Sequence, residues 1–410
     1  MKILVVGSGG REHAIVKKVK QSPLVDEVIC TPGNYGISLD AKCVDIKVEA
    51  KEEILNYCLN NNIELVIVGP EASLVTGISD LLNEKNIKVL GCSKKASQIE
   101  SSKAYAKMIM EKYDIPSAKY QRFSDYESAL KYVDNYTYPC VIKYDGLASG
   151  KGVYITEDYD STKEVLNDLL NKRILGNDDI IIEEFLDGDE FTILSLVNGE
   201  VVVPFQSARD FKRVYDYDEG LNTGGMGAIC PYHNIDNDTY QEGVNILKKT
   251  AQALLKEDNK YCGVLYGGFI KTKDGVKVIE FNARFGDPET QAVLNNLESD
   301  LVAHILDLLA NKSFTMNFKK ETSVGLVLSA PGYPEEYEKG IILDEYLKLP
   351  FDIIHMGTKL LNDKVVSNGG RVLFILNEDH NSKQAFKRIY FELDKIKNNV
   401  LHYRHDLNNY

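Results

Sequence analysis

Short, unbroken apolar runs punctuate the first hundred positions. Lys2 to Val6, Glu27 to Cys30 and Leu65 to Val68 each end at a glycine- or proline-containing loop: Gly7-Ser8-Gly9-Gly10, Thr31-Pro32-Gly33-Asn34 and Gly69-Pro70-Glu71. Runs of this length bounded by turn residues read as buried strands, and helical patterns alternate with them, the first starting near Arg11. The layout predicts an α/β unit with a doubly wound parallel sheet, closed near residue 100 by a strand ending at Leu90-Gly91. Ligands of such sheets sit at the carboxyl ends of the strands, where these three loops lie.

The pattern then changes. A helix is expected over Ser102 to Lys112, followed by a smaller module with strands Cys140 to Tyr144, Val153 to Thr156 and Ile180 to Glu184, and a helix over Lys163 to Asn171. Phe191 to Phe205 reads as a hairpin turning at Asn198-Gly199. Ser207 to His233 lacks sustained periodicity and is expected to be a long functional loop. A helix over Val244 to Lys256 precedes strands Val264 to Lys271 and Val276 to Asn282, which meet at Asp274-Gly275. A composition break near Lys319 to Thr322 leads into a small strand-rich α+β module with a helix near Lys383 to Ile396. The expected domains are 1–101, 102–322 with a lid over about 120–191, and 323–410.

The stretch Val276 to Glu289 carries the sharpest chemistry. At strand period two, Glu280, Asn282 and Arg284 share one face, while Ile279, Phe281, Ala283 and Phe285 share the other and are expected in the core. A row of carboxylate, amide and guanidinium is costly on a half-buried sheet unless something binds it. A hard divalent cation takes the first two, and a guanidinium matches a carboxylate or phosphate beyond them.

Composition narrows the partners. With 410 residues, 44% apolar and 27% charged, the chain is long enough for several domains of an ordinary globular protein. A net charge of −13 argues against nucleic acid as a partner. No apolar run approaches the roughly 18–20 residues of a membrane span. Seven scattered cysteines without a Cys-x-x-Cys pair fit a reducing cytoplasm rather than a disulfide framework or zinc site.

Lys143 to Val153 holds Gly146, Gly150 and Gly152 between two lysines, a turn suited to cradling phosphates. It is not a P-loop, because a strand follows and Gly152 stands where the metal-binding hydroxyl belongs. Gly7 to His13 fails the dinucleotide fingerprint, since Glu12 occupies the third glycine position. It serves either as an anion site at a helix start or as a packing turn. Ile181 to Glu190 leads an apolar strand into an acidic turn, where Glu190 could meet ribose hydroxyls. Asp210-Phe211-Lys212-Arg213 and Asn222 to Gly227 place cations and glycines in the long loop, suiting an anionic substrate. Asp287-Pro288-Glu289 opens a helix, with Asp287 expected as its cap.

In order and spacing these motifs resemble the ATP-grasp superfamily, whose two subdomains clamp ATP. Within it they are similar to the phosphoribosylamine–glycine ligase family of purine biosynthesis. The resemblance runs from Met1 to about Arg371 and rests on Gly9 to Ala14, Pro32-Gly33-Asn34, Gly69-Pro70-Glu71, Asp145 to Gly152, Asn222 to Gly227, Asn282 to Gln291 and Asn368 to Val372. It implies that ATP phosphorylates glycine and that the amine of 5-phosphoribosylamine attacks the glycyl phosphate, giving glycinamide ribonucleotide, ADP and phosphate. It further implies that Lys103 and Lys143 hold ATP phosphates beneath Asp145, Gly146, Ser149, Gly150, Lys151 and Gly152. Glu183, Leu186 and Glu190 would frame adenine and ribose. Glu280 and Asn282 would bind Mg²⁺ or Mn²⁺. Arg284 would pair with a substrate carboxylate beside the catalytic Asp210 and Lys212. Gly9, Gly10, Arg11, Glu12, Arg213, Asn222 and Gly224 would line the substrate site. Separately, the glycine-turn anion sites at opposite ends of the chain point to a ribosyl phosphate between the Gly9-Gly10 helix start and the C-terminal module, with Lys359 and Arg371 contributing. A monomer is expected. Arg209, Phe211 and Leu221 depart from the family pattern, which puts details of the substrate loop in question. Rival readings are a different ATP-grasp ligase and a nucleotide sensor without turnover.

Overall fold

The computed structural model describes residues 1–146 and 152–410. Strands Lys2–Gly7 (β1), Glu27–Pro32 (β2), Lys42–Cys43 (β3), Leu65–Val68 (β4) and Lys88–Leu90 (β5) form a parallel sheet in the order β3-β2-β1-β4-β5. The order reverses beside β1, so the loops after β1, β2 and β4 gather at one switch point, as their apolar runs foretold. The helix Gly10–Lys20 starts directly from the first of these loops.

Strands Tyr120–Phe123 (β6), Cys140–Tyr144 (β7), Val153–Thr156 (β8) and Ile180–Glu184 (β9) form a small antiparallel sheet in the order β6-β9-β7-β8. It encloses its own core around Ile142, Leu166, Leu169 and Ile182, separate from the others. The helix expected over Lys163 to Asn171 instead spans Tyr159–Leu166 and then widens into a π-turn over Asn167–Asn171. Asp158 sets its start by accepting from the Ser161 amide at 2.8 Å, a cap the apolar pattern does not reveal.

The largest sheet contains Asp189–Asn198 (β10), Val201–Asp210 (β11), Gly227–Cys230, Cys262–Thr272, Gly275–Asn282, Thr322–Ser329, Asp352–His355 and Arg371–Asp379. The expected long loop is largely strand: after β11 come Arg213–Tyr215 (β12) and Glu219–Asn222 (β13), a small hairpin of their own, and then Gly227–Cys230 (β14). These strands are three or four residues long, too short to show periodicity. Continuing the count, Cys262–Thr272 is β15, Gly275–Asn282 β16, Thr322–Ser329 β17 and Asp352–His355 β18. Thr358–Leu361 (β19) and Lys364–Ser367 (β20) pair separately, and Arg371–Asp379 is β21. The sheet runs β16-β15-β10-β11-β14-β17-β21-β18, so it passes unbroken across residue 322 through the β14–β17 pairing.

β16 is an edge strand with a bulge. Gly268 of β15 faces Glu280, yet Phe269 faces Val278, which leaves Ile279 without a partner. One extra residue shifts the alternation. Val276 and Val278 are therefore buried with Phe281, Ala283 and Phe285, while Ile279 is only half-buried, contrary to the expected core face. The face of Glu280, Asn282 and Arg284 is preserved beyond the bulge.

Seven cysteines are unpaired and buried or half-buried. Among the described residues, no helix is long and apolar enough to cross a membrane.

Candidate active site

Two lysines and one carboxylate form the floor of the cleft between the small sheet and the large one. Glu183 on β9 is 3% exposed; its Oε2 lies 2.8 Å from Lys143 Nζ and its Oε1 3.1 Å from Lys107 Nζ. Burial pushes the Glu183 carboxyl up, but the two ammonium groups override it and hold it below the usual range. Lys143 also donates to the carbonyl of Ile279 at 3.1 Å, the residue freed by the bulge, so the strand irregularity ties β16 to β7. Glu183, expected to frame adenine, is thus engaged by two lysines. Lys107 escaped the sequence reading. Its spacing of four from Lys103 on one helix face was the available signal.

The helix Lys103–Lys112 begins at Ser102, whose Oγ accepts from the Tyr105 amide at 3.1 Å. Asp145, at the end of β7, accepts from the Ala104 amide at 3.0 Å, and Lys103 Nζ donates to the Gly146 carbonyl at 3.3 Å. Burial lowers the pKa of Lys103, with Glu280 opposing the shift. Gly152 closes the hairpin by accepting from the Tyr144 amide at 2.8 Å. Ser149, Gly150 and Lys151 lie outside the described residues. Leu186 is half-buried in the turn between β9 and β10.

Glu280 and Asn282 face the same cleft. Gly268 lies opposite Glu280, and a Cβ there would stand 3.3 Å from Glu280 Cγ, so the glycine leaves that carboxylate its room. Glu280 has no hydrogen-bond or ion-pair partner among the described residues, and the Asn282 oxygen accepts only a long 3.4 Å contact from Arg284. Two hard oxygen donors without strong internal partners suit Mg²⁺ or a similar cation, provided phosphate oxygens complete its shell. Among the described residues, no group of three or more His, Cys, Asp or Glu is placed to hold a metal alone. Nearby, Lys212 Nζ lies 2.9 Å from Glu190 and 3.9 Å from Asp210. Burial raises the Asp210 carboxyl. Burial and Asp210 together push Glu289 up to about 7, against an opposing backbone hydrogen bond.

Arg284 is not a free cation. Its Nη2 lies 2.9 Å from Glu100 Oε1 and its Nε 3.4 Å from Glu71 Oε2, so two carboxylates already face it. Arg284, expected to pair with a substrate carboxylate, thus already faces two carboxylates of the chain.

The switch-point side is built differently. Glu12 is 2% exposed and accepts from the Gly9 amide at 2.7 Å, while Arg11 pairs with Glu12 at 2.6 Å and donates to the Phe285 carbonyl at 3.0 Å. Arg11 therefore staples the first domain to the end of β16. Gly10 abuts Gln291 and Met356, and a Cβ would come within 2.7 Å of the Gln291 amide nitrogen. Asp287 does not cap the helix Glu289–Asn296; Pro288 stands at the cap position with φ −107° and makes no side-chain bond. Asp287 instead accepts from Gln291 at 2.7 Å and pairs with Arg371 at 3.0 Å. Arg371 further donates to the carbonyls of Gly224 at 2.6 Å and Asp287 at 2.8 Å. Arg371, expected to help hold the ribosyl phosphate, thus directs its guanidinium at these protein groups. Lys359 stands exposed on β19, also without a partner among the described residues. Arg213 donates to the Gly220 carbonyl at 2.6 Å and faces Asn222 across the β12–β13 hairpin, while the Gly224 amide donates to the Tyr333 hydroxyl at 3.0 Å.

The three departures have structural roles or surroundings. Arg209 pairs with Asp189 at 2.6 Å and lies against Phe211, Tyr232 and Tyr410. Phe211 is buried against Tyr410, with ring centroids 4.9 Å apart, and Leu221 is exposed.

A parallel-sheet domain, a small antiparallel sheet with its own core, and a large sheet that presents oxygen donors opposite paired lysines define an ATP-grasp ligase. Residues 1–100, 101–290 and 323–409 match the N, ATP-grasp (A) and C domains of phosphoribosylglycinamide synthetase. The chain is 45% identical to the phosphoribosylamine–glycine ligase of Caldanaerobacter subterraneus over 99% of both chains, and 42% identical to that of Lactococcus lactis, again over 99% of both. The crystal structure of phosphoribosylamine–glycine ligase from Thermotoga maritima superposes with a TM-score of 0.86 at 30% identity, covering 99% of this chain and 100% of that one. The chain belongs to the phosphoribosylglycinamide synthetase family. Fold likeness extends to the biotin carboxylase domain of Hydrogenobacter thermophilus 2-oxoglutarate carboxylase, crystallised with MgADP, at a TM-score of 0.74 and 15% identity over 98% of this chain and 91% of that one.

Proposed function

We infer that the chain is a phosphoribosylamine–glycine ligase, joining glycine to 5-phosphoribosylamine at the expense of ATP. The observation that carries the reading is the pair of buried lysines on Glu183 facing Glu280 and Asn282 across one cleft. A carboxylate is a poor electrophile until phosphate becomes its leaving group. One carboxylate oxygen of glycine forms a bond to the γ-phosphorus as the bond to the bridging oxygen breaks and ADP departs. The amine nitrogen of 5-phosphoribosylamine then attacks the acyl carbon, phosphate leaves, and the nitrogen gives up a proton.

Lys103 and Lys143 neutralise the polyphosphate, and Glu183 fixes where the Lys143 ammonium stands. Glu280 and Asn282 would hold Mg²⁺ or Mn²⁺, which would supply further charge neutralisation to the transferring phosphoryl group. Glu190 and Leu186 border the nucleoside, with Lys212 restraining the Glu190 carboxylate. Asp210 and Lys212 flank the position of glycine. The Gly9–Gly10 helix start and the Arg371-held glycine loop of Asn222 and Gly224 enclose the phosphoribosyl group, whose reaction must be kept from water. The protein works as a soluble cytoplasmic monomer.

ADP release should be steady only with glycine and phosphoribosylamine together; steady release with bicarbonate instead would assign a different ATP-grasp reaction. Glu280→Ala should abolish turnover while leaving the thermal transition in place, and near-normal activity in that variant would end the metal assignment.

A further inference from the structure

Glu100 lies at the end of the helix Gln98–Ser101, in the segment that leaves the parallel-sheet domain, and takes no place in the chemistry above. Its side chain is 8% exposed, and both of its oxygens reach the residues just beyond Asn282. Oε2 accepts from the Ala283 amide at 2.7 Å, and Oε1 pairs with Arg284 Nη2 at 2.9 Å. β16 is an edge strand ending at Asn282, bridged on its outer side at Val278 by Ser117, and among the described residues Glu100 is the acceptor that meets the Ala283 amide. A buried backbone amide without an acceptor is strongly disfavoured, and Glu100 supplies that acceptor.

The second oxygen matters for charge. Arg284 Nη2 also donates to Asn282 Oδ1 at 3.4 Å, so a full positive charge stands next to an oxygen expected to face a cation. Unopposed, it would repel that cation. Glu100 and Glu71 oppose the guanidinium charge that stands beside Asn282. Burial holds the Glu100 carboxyl above its usual range even with Arg284 opposing, and the Arg284 pKa rises beside the two carboxylates. Glu71 is the weaker holder, at 3.4 Å from Nε and 31% exposed, whereas Glu100 is enclosed.

We infer that Glu100 is a positioning residue for the metal-binding strand: it fixes the backbone after Asn282 and cancels the Arg284 charge, so that the Asn282 oxygen can serve a divalent cation. This rests on the reading of Glu280 and Asn282 as the cation's holders. Groups that orient and neutralise around a metal ligand typically change metal affinity by roughly 10–100-fold when altered.

The test uses the full chain with a non-hydrolysable ATP analogue and Mn²⁺ as the probe, its binding followed by electron paramagnetic resonance. Glu100→Gln keeps an acceptor for Ala283 but loses the charge. Mn²⁺ affinity should fall at least about tenfold, while binding of the analogue without metal stays within about twofold of wild type. Glu100→Asp keeps the charge on a shorter arm and should show a smaller loss in the same direction, and it carries the test alone if Glu100→Gln does not fold. Wild-type Mn²⁺ affinity in the folded variants, with only a lowered melting temperature, would overturn the inference. Glu280→Ala is measured in parallel. If it too leaves Mn²⁺ affinity unchanged, the reading of the strand fails; if it alone loses the metal, only the role of Glu100 fails.

Discussion

The nucleotide side and the switch-point side of the cleft both depend on basic residues, yet they group them differently. On the nucleotide side Lys107 and Lys143 share the single carboxylate of Glu183, a buried ion triad that exists before any ligand arrives, and each adds one bond to a backbone carbonyl, of Ala118 and Ile279. On the other side Arg11 and Arg371 each pair with one carboxylate but direct further bonds at backbone carbonyls of Phe285, Gly224 and Asp287. The first arrangement fixes where charge stands. The second fixes where loops stand, leaving ligand contact to backbone amides and neighbouring side chains. Removing a group should therefore damage fold and chemistry together on the first side, and substrate affinity selectively on the second.

Glu183→Ala tests this most severely. It strands two buried ammonium groups, and breaking a buried pair costs about 3–5 kcal/mol. Chemical denaturation should register that loss, and turnover should drop more than about 100-fold through the misplaced Lys143. A variant that kept wild-type stability would show that the triad is solvated and the contrast unfounded.

The junction near the switch point offers a second test through a buried histidine. His355 donates its backbone amide to His13 Nδ1 at 2.9 Å, and its Nδ1 sits 2.9 Å from Thr358 Oγ1. Burial, then the neighbouring His13 and Lys17, lower its pKa from 6.5 to about 4, with Asp40 opposing. The unfolded chain thus takes up a proton near pH 6.5 that the folded chain resists until about pH 4. Stability contributed by this group is complete above pH 6.5 and declines as pH falls through that window, by about 2–3 kcal/mol. Denaturant midpoints at pH 7.5 and 4.5 should show a shallower loss for His355→Gln than for wild type; equal losses would place the acid sensitivity elsewhere.

The smallest effect belongs to Arg371→Ala. Freeing the Gly224 loop should raise the KM for phosphoribosylamine about tenfold, the loss expected for one or two charge-assisted hydrogen bonds, and leave the KM for ATP unchanged. An unchanged phosphoribosylamine KM would remove the loop from the acceptor site.

Residue types on both sides were legible in the sequence, and their partners were not. Lys143, Glu280 and Asn282 could be picked out because glycine spacing and strand alternation are local properties. Glu183 bridges helix and sheet residues far apart in the chain, and Arg284 meets Glu71 and Glu100 from the first domain, so neither pairing leaves a local trace. The bulge at Ile279 was equally hidden, because an extra residue shows only against the opposing strand. The parallel sheet was readable because each buried strand is itself a complete apolar run. The β12–β13 hairpin was not, being shorter than the period needed to recognise it. Asp287 misled for a related reason: Asp-Pro-Glu is a sound helix start, but Arg371, more than eighty residues later, claims the carboxylate.

The seven unpaired thiols have a practical consequence. Burial raises the pKa of Cys30, Cys43, Cys58, Cys92, Cys230 and Cys262, and Cys140 is enclosed, so maleimide dyes should react with the native protein sluggishly. A single Ser124→Cys substitution, at an exposed position on the small sheet, would then take a fluorophore almost alone. The natural chain is in effect its own cysteine-light background, and any movement of that sheet on adding nucleotide would be followed in real time without stripping a single native residue.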